Sequence, residues 1–446
     1  MGIFKAYDVR GKCPGEIDEA FARRLGRAYA QFLGNTGRVG VGFDMRETSP
    51  GLAAALRAGL HAGGVDTVGI GMCTSPTLYY LVGKRELSGG VMVTASHNPP
   101  SDNGFKICRE KVIPVGSASG LTEIQALTEG DPLPDVATPG SGSEERILEE
   151  YLDHVTRLAG SVGKLKVAFD CGNGVAGPTL NALLKRWSQL EAVVLYDEPD
   201  GTFPNHPANP LVPANLEDLQ AAVKEHGCDL GVAFDGDGDR CVFVDDQGEV
   251  VLSDLITAFM AAAVLKHEQG AAIVYDLCSS MVVREEVEKH GGVPVEERVG
   301  HSFIKATMRA KNAPFAGENS GHYYFRDHWF ADSALVATGK LLGLVSKDGR
   351  PFHEQIQPLR RTSRSGERNF EVPDKDAALE QLVQEFAGAE VSRLDGVTIR
   401  TPGFWFNARK SNTEPLLRVN AEASAADGLE AGFARITGLL GTPVAH

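Results

Sequence analysis

The densest run of reactive side chains is DGDGDR, residues 235–240, directly after the apolar stretch LGVAF. Asp235, Asp237 and Asp239 alternate with glycines, and three carboxylates at that spacing on a tight turn can converge on one hard cation. The same stretch could serve as a solvated acidic turn. A helix-loop-helix calcium site is excluded, because Arg240 stands where glycine is required and the flanks LGVAF and CVFVDD read as strands. Three protein carboxylates leave a coordination shell open, which suits magnesium finished by water or a phosphate oxygen.

Three further loops carry chemistry. VTASHNPPSDNGFK, residues 93–106, leaves an apolar strand and holds Ser96, His97 and Lys106 among turn residues. ARKSNTEPLLR, residues 408–418, groups Arg409, Lys410 and Arg418 with Ser411, Asn412 and Thr413. Guanidinium forks, hydroxyls and turn amides are what a phosphate monoester needs, although a basic surface hairpin has the same composition. GENSGH, residues 317–322, sets Glu318 and Ser320 on a glycine-flanked turn before His322, a pairing that suits adjacent sugar hydroxyls as well as an ordinary turn. RVGHSFIKATM adds His301 and Lys305, and FKAYDVRGK adds Tyr7 and Arg10, each of which could equally be structural. Together, a metal loop, a phosphate loop, a diol loop and a serine loop describe a cleft for a phosphorylated polyol. Ser96 is then expected to be a phosphoryl carrier, with Lys106 or His97 taking the proton of the attacking hydroxyl.

The elements that must position these loops form a repeat. RVGVGFD ends on Asp44, LKVAFD on Asp170 and AAIVYD on Asp276, at intervals of 126 and 106 residues. A second strand and loop follow each one, reaching Ser96, Asp235 and Glu318 after 52, 65 and 42 residues. Ile17, Phe21, Leu25, Tyr29 and Phe32 mark an amphipathic helix. Strands alternating with helices predict α/β architecture with largely parallel sheets and ligands beyond the strand ends. The expected fold is three related mixed α/β domains, 1–145, 146–254 and 255–364, and a smaller α+β domain, 365–446, around a central cleft. The linker EGDPLPDVATPGSGSEER (129–146) separates the first two.

Bulk properties narrow the classes. The 446 residues are 42% hydrophobic with a net charge of −15, which argues against wholesale binding to nucleic acid or anionic membrane. Seven scattered cysteines without a C-x-x-C pair read as free thiols in a reducing cytoplasm. The most apolar stretch, Leu255–Leu265, is too short to span a bilayer, so a cytoplasmic protein is expected, as a monomer or small homo-oligomer.

TASHNPPSDNGFK, DGDGDR, GENSGH and RKSNTEPLLR, in this order, resemble the α-D-phosphohexomutases along essentially the whole chain. FKAYDVRG and TASHNP most resemble the phosphomannomutase/phosphoglucomutase branch. The resemblance implies a phosphorylated Ser96, Mg²⁺ held by its phosphate with Asp235, Asp237 and Asp239, and a hexose 1,6-bisphosphate that reorients in the cleft. It implies Arg10, His97, Lys106 and Arg240 at the reaction centre, and Glu318 and Ser320 on sugar hydroxyls. Tyr7, His301 and His322 lie on the sugar side by the same likeness, and Arg409, Ser411, Asn412, Thr413 and Arg418 on the distal phosphate. Some relatives carry a basic residue after the third domain's first strand, where this chain has Leu277. Rival readings are a phosphoglucosamine mutase, a Mg²⁺-dependent sugar phosphatase and a non-catalytic sugar-phosphate binder.

Overall fold

The structure, a computed structural model, describes residues 2–411 and 416–444. Four sheets follow one another along the chain. In the first, Arg38–Phe43 pairs parallel with Asp66–Met72 and Gly89–Val93, and Asp102–Arg109 and Val9–Lys12 extend that side antiparallel. The end of the predicted linker is not free: Gly142–Glu144 joins the far edge as a parallel strand against Thr67–Gly69. The second sheet centres on Leu165–Asp170, parallel to Leu190–Leu195 and Leu230–Phe234, with Cys241–Asp245 antiparallel beyond. In the third, Ala272–Asp276 lies parallel to Val293–Glu297 and Phe315–Gly317, with Tyr323–Phe325 antiparallel beyond.

The repeat is therefore structural. In each of these three sheets the last parallel strand turns into an antiparallel neighbour, and that turn is a chemistry-bearing loop. Gly89–Val93 and Leu230–Phe234 are buried along their whole length, as continuous apolar runs covered on both faces should be. Helices close the layers. Glu19–Phe32 starts at Asp18, whose carboxylate accepts the Phe21 amide, and buries Phe21, Leu25 and Tyr29 as the spacing predicts. The apolar stretch at 255–265 is a packed helix, Ser253–Leu265. No helix among the described residues is long and apolar enough to cross a membrane.

The fourth sheet is wholly antiparallel, with Leu417–Ala423 between Ser363–Phe370 and Phe404–Lys410. Helices Lys375–Glu385 and Ala426–Leu440 pack on it around a separate core that includes Phe370, Leu382, Phe406, Val419 and Ile436. Arg364 ties this unit to the rest of the chain, donating to Asp254 Oδ2 at 2.8 Å and lying 3.2 Å from Glu422 Oε1. All seven cysteines are free.

Candidate active site

Ser96 stands three residues beyond Gly89–Val93, fully buried, with φ of 53°. A left-handed backbone at a non-glycine residue costs about 1–3 kcal/mol and persists only where the surroundings over-determine it. Here the Thr94 hydroxyl accepts the Ser96 amide at 2.8 Å. The Ser96 hydroxyl donates to Asp235 Oδ2 at 2.8 Å, across a domain boundary, and lies 3.1 Å from His97 Nδ1. That approach depends on a glycine: a Cβ on Gly236 would fall 2.5 Å from the Ser96 carbonyl oxygen.

Asp235, Asp237 and Asp239 are all buried, and one oxygen from each lies within 4.8 Å of the others. Asp235 Oδ1 accepts the amides of Asp239 and Arg240, each at 3.1 Å, which folds the loop back on itself. Asp237 Oδ2 accepts the Ser75 hydroxyl at 2.5 Å and Lys106 Nζ at 2.6 Å, and Lys106 also reaches Asp239 Oδ2 at 2.5 Å. Arg240 Nε lies 3.8 Å from Asp235 Oδ2. Asp237 Oδ1 and Asp239 Oδ1 are buried without a hydrogen bond. Buried oxygens left bare in a cluster of hard carboxylates are what a divalent cation would satisfy, so the residues present fit one.

The charges set the protonation states. Burial, reinforced by Asp239 and Asp237, pushes Asp235 well above the carboxylate range. Burial alone would raise Asp239 as well, but Lys106 and His322 reverse the sign and hold it well below. Burial works against the Lys106 ammonium, yet Asp237 and Asp239 outweigh it, so the lysine stays charged. His97 is pulled down to about 2 by burial and by Arg240, Arg10 and Lys106, so its ring is neutral.

Beside this centre is a cavity of about 320 Å³ lined by Tyr7, Lys106, Arg240, His301, Glu318 and His322, among others. Arg10 borders it, with Nε 2.6 Å from Asp8 and Nη1 donating to the Ala95 carbonyl and to Asn98 Oδ1. Glu318 is buried and accepts the Tyr324 hydroxyl. His322 Nε2 accepts Arg240 Nε at 3.2 Å, and its Nδ1 lies 2.8 Å from the Ser320 hydroxyl. The Cys241 amide donates to the Gly321 carbonyl at 3.0 Å, joining the metal loop to the sugar loop. His301 Nδ1 is buried without a partner, and its ring stands edge-on to Tyr7 with centroids 5.3 Å apart.

Ser320 and Val299 also line a second cavity, of about 430 Å³, whose far wall comes from the fourth sheet. Arg409 enters it, its Nη2 2.7 Å from Glu367 Oε2 and its Nη1 2.6 Å from Cys278 Sγ. Arg418 Nη1 lies 3.2 Å from Glu367 Oε1. Ser411 closes the described strand end, its amide donating to the Leu416 carbonyl. Asn412 and Thr413 lie outside the described residues. Lys410, one residue along the strand from Arg409, points to the opposite face and pairs with Asp376 at 2.7 Å.

Sequence reasoning missed several contributors. Leu277 is buried, and the residue exposed to the cavity after Ala272–Asp276 is Cys278, because the turn begins at the aspartate. Ser75 opens the helix Ser75–Lys84, donating both its hydroxyl and its amide to Asp237. Lys305, which the sequence did offer as either a site or a structural group, is buried against Asp332, at 2.8 Å, and over the Tyr79 ring. Arg46, fully buried, touches the serine loop at several points. The signals that mark a helix start would have found Ser75 alone, since TSPT carries a cap and a proline.

The site thus joins a buried serine, a triad of aspartates and an arginine-lined recess, supplied by the first, second and fourth sheets and their loops. Profiles described as phosphoglucomutase/phosphomannomutase match throughout: alpha/beta/alpha domain I over 1–132, domain II over 149–248, domain III over 253–362 and the C-terminal domain over 367–438. The chain belongs to the phosphoglucomutase/phosphomannomutase family. It is 39% identical to the phosphohexose mutases of Xanthomonas campestris, covering 95% of each chain. It is 38% identical to a phosphomannomutase of Vibrio cholerae over 95% of this chain and 94% of that one. A crystal structure of a phosphoglucomutase/phosphomannomutase family protein from Burkholderia thailandensis superposes with a TM-score of 0.89, at 32% identity, over 98% and 96% of the two chains.

Proposed function

We propose that the chain interconverts hexose 1-phosphates and hexose 6-phosphates, mannose or glucose being the sugar, through a phosphorylated Ser96 and a 1,6-bisphosphate. Membership of the family makes it an isomerase that moves a phosphoryl group within a sugar phosphate. The observation that carries the reading is the Ser96 hydroxyl on Asp235, beside a cavity that continues into an arginine-lined recess. On this reading domains 1–145, 146–254, 255–364 and 365–446 supply the serine, metal, sugar and phosphate loops.

Asp235, Asp237 and Asp239, with the Ser96 phosphate, would hold Mg²⁺, which when bound neutralises charge on the phosphoryl oxygens. The rest is work for the chain. Arg409 and Arg418, with Ser411, Asn412 and Thr413, grip the phosphate that is not reacting. Glu318 and Ser320 take sugar hydroxyls, and Tyr7 and His301 wall the ring. Those contacts present the free hydroxyl of the sugar in line with the Ser96 phosphorus. That oxygen gives up its proton and attacks phosphorus, the bond from phosphorus to Ser96 Oγ breaks, Ser96 Oγ gains a proton, and the product is the bisphosphate. Lys106 holds its proton between two carboxylates, so it supplies charge, with Arg10 and Arg240. His322, whose Nε2 accepts Arg240 Nε and whose Nδ1 meets the Ser320 hydroxyl, lies with these two on the sugar side. Asp235 Oδ2, which accepts the Ser96 hydroxyl at 2.8 Å, takes the serine proton when the bisphosphate, turned end for end, returns its other phosphate, and neutral His97 lies 3.1 Å from the same serine oxygen. A hexose 1,6-bisphosphate likewise primes dephosphorylated enzyme.

Intact-mass analysis of purified protein should show a fraction about 80 Da heavier, mapping to Ser96 and absent from Ser96→Ala, which should also lose mutase activity. Full activity in that variant would sink the mechanism. Turnover of mannose, glucose and glucosamine 1-phosphates, each with its bisphosphate, assigns the sugar; preference for glucosamine would move the chain to the phosphoglucosamine reading.

A further inference from the structure

Arg46 is fully buried, and it lines neither cavity. Its contacts are with the backbone of the serine loop. Nη1 donates to the carbonyls of Pro99 at 2.6 Å and Asp102 at 2.9 Å, and Nη2 to those of Asn98 at 2.6 Å and Ser96 at 3.2 Å. Nε donates to Asp44 Oδ2 at 3.2 Å, while Asp44 Oδ1 accepts the Arg46 amide at 3.0 Å and the Ser49 hydroxyl at 2.5 Å. The guanidinium is also stacked on the Phe203 ring, 5.3 Å from its centroid, which comes from the second domain. One planar fork thus gathers four carbonyls of a loop that contains a left-handed serine, and a carboxylate at a strand end fixes the fork.

We infer that Arg46, set by Asp44, is the positioning residue of the phosphoryl-transfer serine, and that it decides whether the phosphoserine is delivered to the sugar or lost to water. The inference rests on the assignment of Ser96 as phosphoryl carrier. The two fates differ only in the attacking oxygen. In transfer, a sugar hydroxyl oxygen bonds to phosphorus and the bond to Ser96 Oγ breaks. In loss, a water oxygen bonds to phosphorus, the same bond breaks, Ser96 Oγ regains a proton and inorganic phosphate leaves. In-line transfer to a sugar held at the far side of the cleft tolerates little displacement of phosphorus, whereas water approaches from any open direction. Arg46 meets no substrate atom, so its effect must pass through the loop geometry.

The test compares Arg46→Lys and Asp44→Asn with wild type, using Arg57→Lys as a control, since Arg57 pairs with Glu144 on an exposed edge of the same domain. Lysine keeps the charge but cannot fork to four carbonyls; Asp44→Asn keeps the fork and loosens its seat, and serves if Arg46→Lys does not fold. Measured are kcat and KM for glucose 1-phosphate with its bisphosphate, inorganic phosphate released per isomerisation, the phosphoserine ³¹P resonance and the melting midpoint. For folded variants we expect kcat lower by about 100-fold with KM changed by less than about threefold. Phosphate release per isomerisation should rise by roughly tenfold, and the ³¹P line should shift or broaden. Arg57→Lys should match wild type. Folded variants with wild-type kcat, or with losses matched by the unfolded fraction at an unchanged release ratio, would overturn the inference. Wild-type protein without phosphoserine or mutase activity would instead overturn the functional reading beneath it.

Discussion

Lys106→Met isolates the charge balance on which the aspartate triad depends. The ammonium lies 2.6 Å from Asp237 and 2.5 Å from Asp239, and the three side chains are only 8%, 0% and 3% exposed. Methionine fills a comparable volume, so packing changes little. Removing one partner of a buried ion pair costs about 3–5 kcal/mol, because the remaining carboxylates keep their desolvation penalty. At about 2–4 °C per kcal/mol for a large domain, the melting midpoint in chelator should fall by roughly 6–20 °C. A divalent cation takes over the lysine's electrostatic role, and at a hundredfold excess over Kd it returns about 2.7 kcal/mol. Wild type gains from the cation as well, so the gap between variant and wild type should narrow in excess Mg²⁺ by the difference between the two binding terms. Asp237 and Asp239 outweigh burial and raise the lysine above its ordinary 10.5, so its contribution is whole below that value and fades only as pH rises through the higher folded one. The lysine itself does not titrate across neutral pH, but its loss frees Asp239 to rise with Asp235, so the gap measured in chelator should shrink as falling pH protonates the unpaired carboxylates of the variant. A scanning fluorimetry series in chelator and in Mg²⁺ reads all of this. Equal losses in both media would show that Lys106 does not compensate the triad, and no loss in chelator would refute the buried ion pair itself.

Two further predictions concern other domains. His206 is raised above its ordinary 6.5 chiefly because Asp170 accepts its N–H, so the pair's stabilisation is whole below 6.5 and fades as pH rises through the folded value. Titration by NMR should place the His206 midpoint higher in wild type than in Asp170→Asn, and equal midpoints would exclude the pair. Arg409→Lys keeps a charge at the distal recess but loses the fork, and should raise KM for either sugar phosphate by about 10-fold or more with a smaller change in kcat. An unchanged KM would remove Arg409 from phosphate binding.

The chemistry-bearing loops were legible because each is contiguous, dense in residues of one chemistry, and begins where an apolar run stops. Ser96, Asp235, Asp237, Asp239 and Glu318 could be named for that reason, and the structure brings Ser96 onto Asp235 and sets Glu318 beside Lys106 and Arg240 in one cavity. What was hidden depends on partners without a side-chain signature. Arg46 serves four backbone carbonyls, which look alike in any sequence. Leu277 was singled out because some relatives carry a basic residue after this strand, whereas the turn that begins at Asp276 buries Leu277 and turns Cys278 to the cavity. Lys410 read as a partner of Arg409, yet adjacent residues on a strand face opposite ways. The likeness of the three first strands was visible, but what their terminal aspartates do was not.

Those aspartates explain how one unit can hold three different loops. Asp44, Asp170 and Asp276 each accept the amide two residues on through Oδ1, which turns the chain sharply at the strand end. That bond fixes the carboxylate plane and leaves Oδ2 directed away from the strand, in a buried setting where a hydrogen bond is obligatory. The second oxygen is met by a guanidinium in Arg46, an imidazole in His206 and a backbone amide in Asn319. In the first case the guanidinium continues to the serine loop; in the third the amide belongs to the sugar loop itself. The repeat therefore conserves a socket and leaves its occupant free, so a shared strand end accommodates loops of different length and chemistry. It also separates two duties that are easily confused. The carboxylates of DGDGDR stay bare enough to meet a cation, whereas these three are spent on the protein's own donors, although all six are buried aspartates.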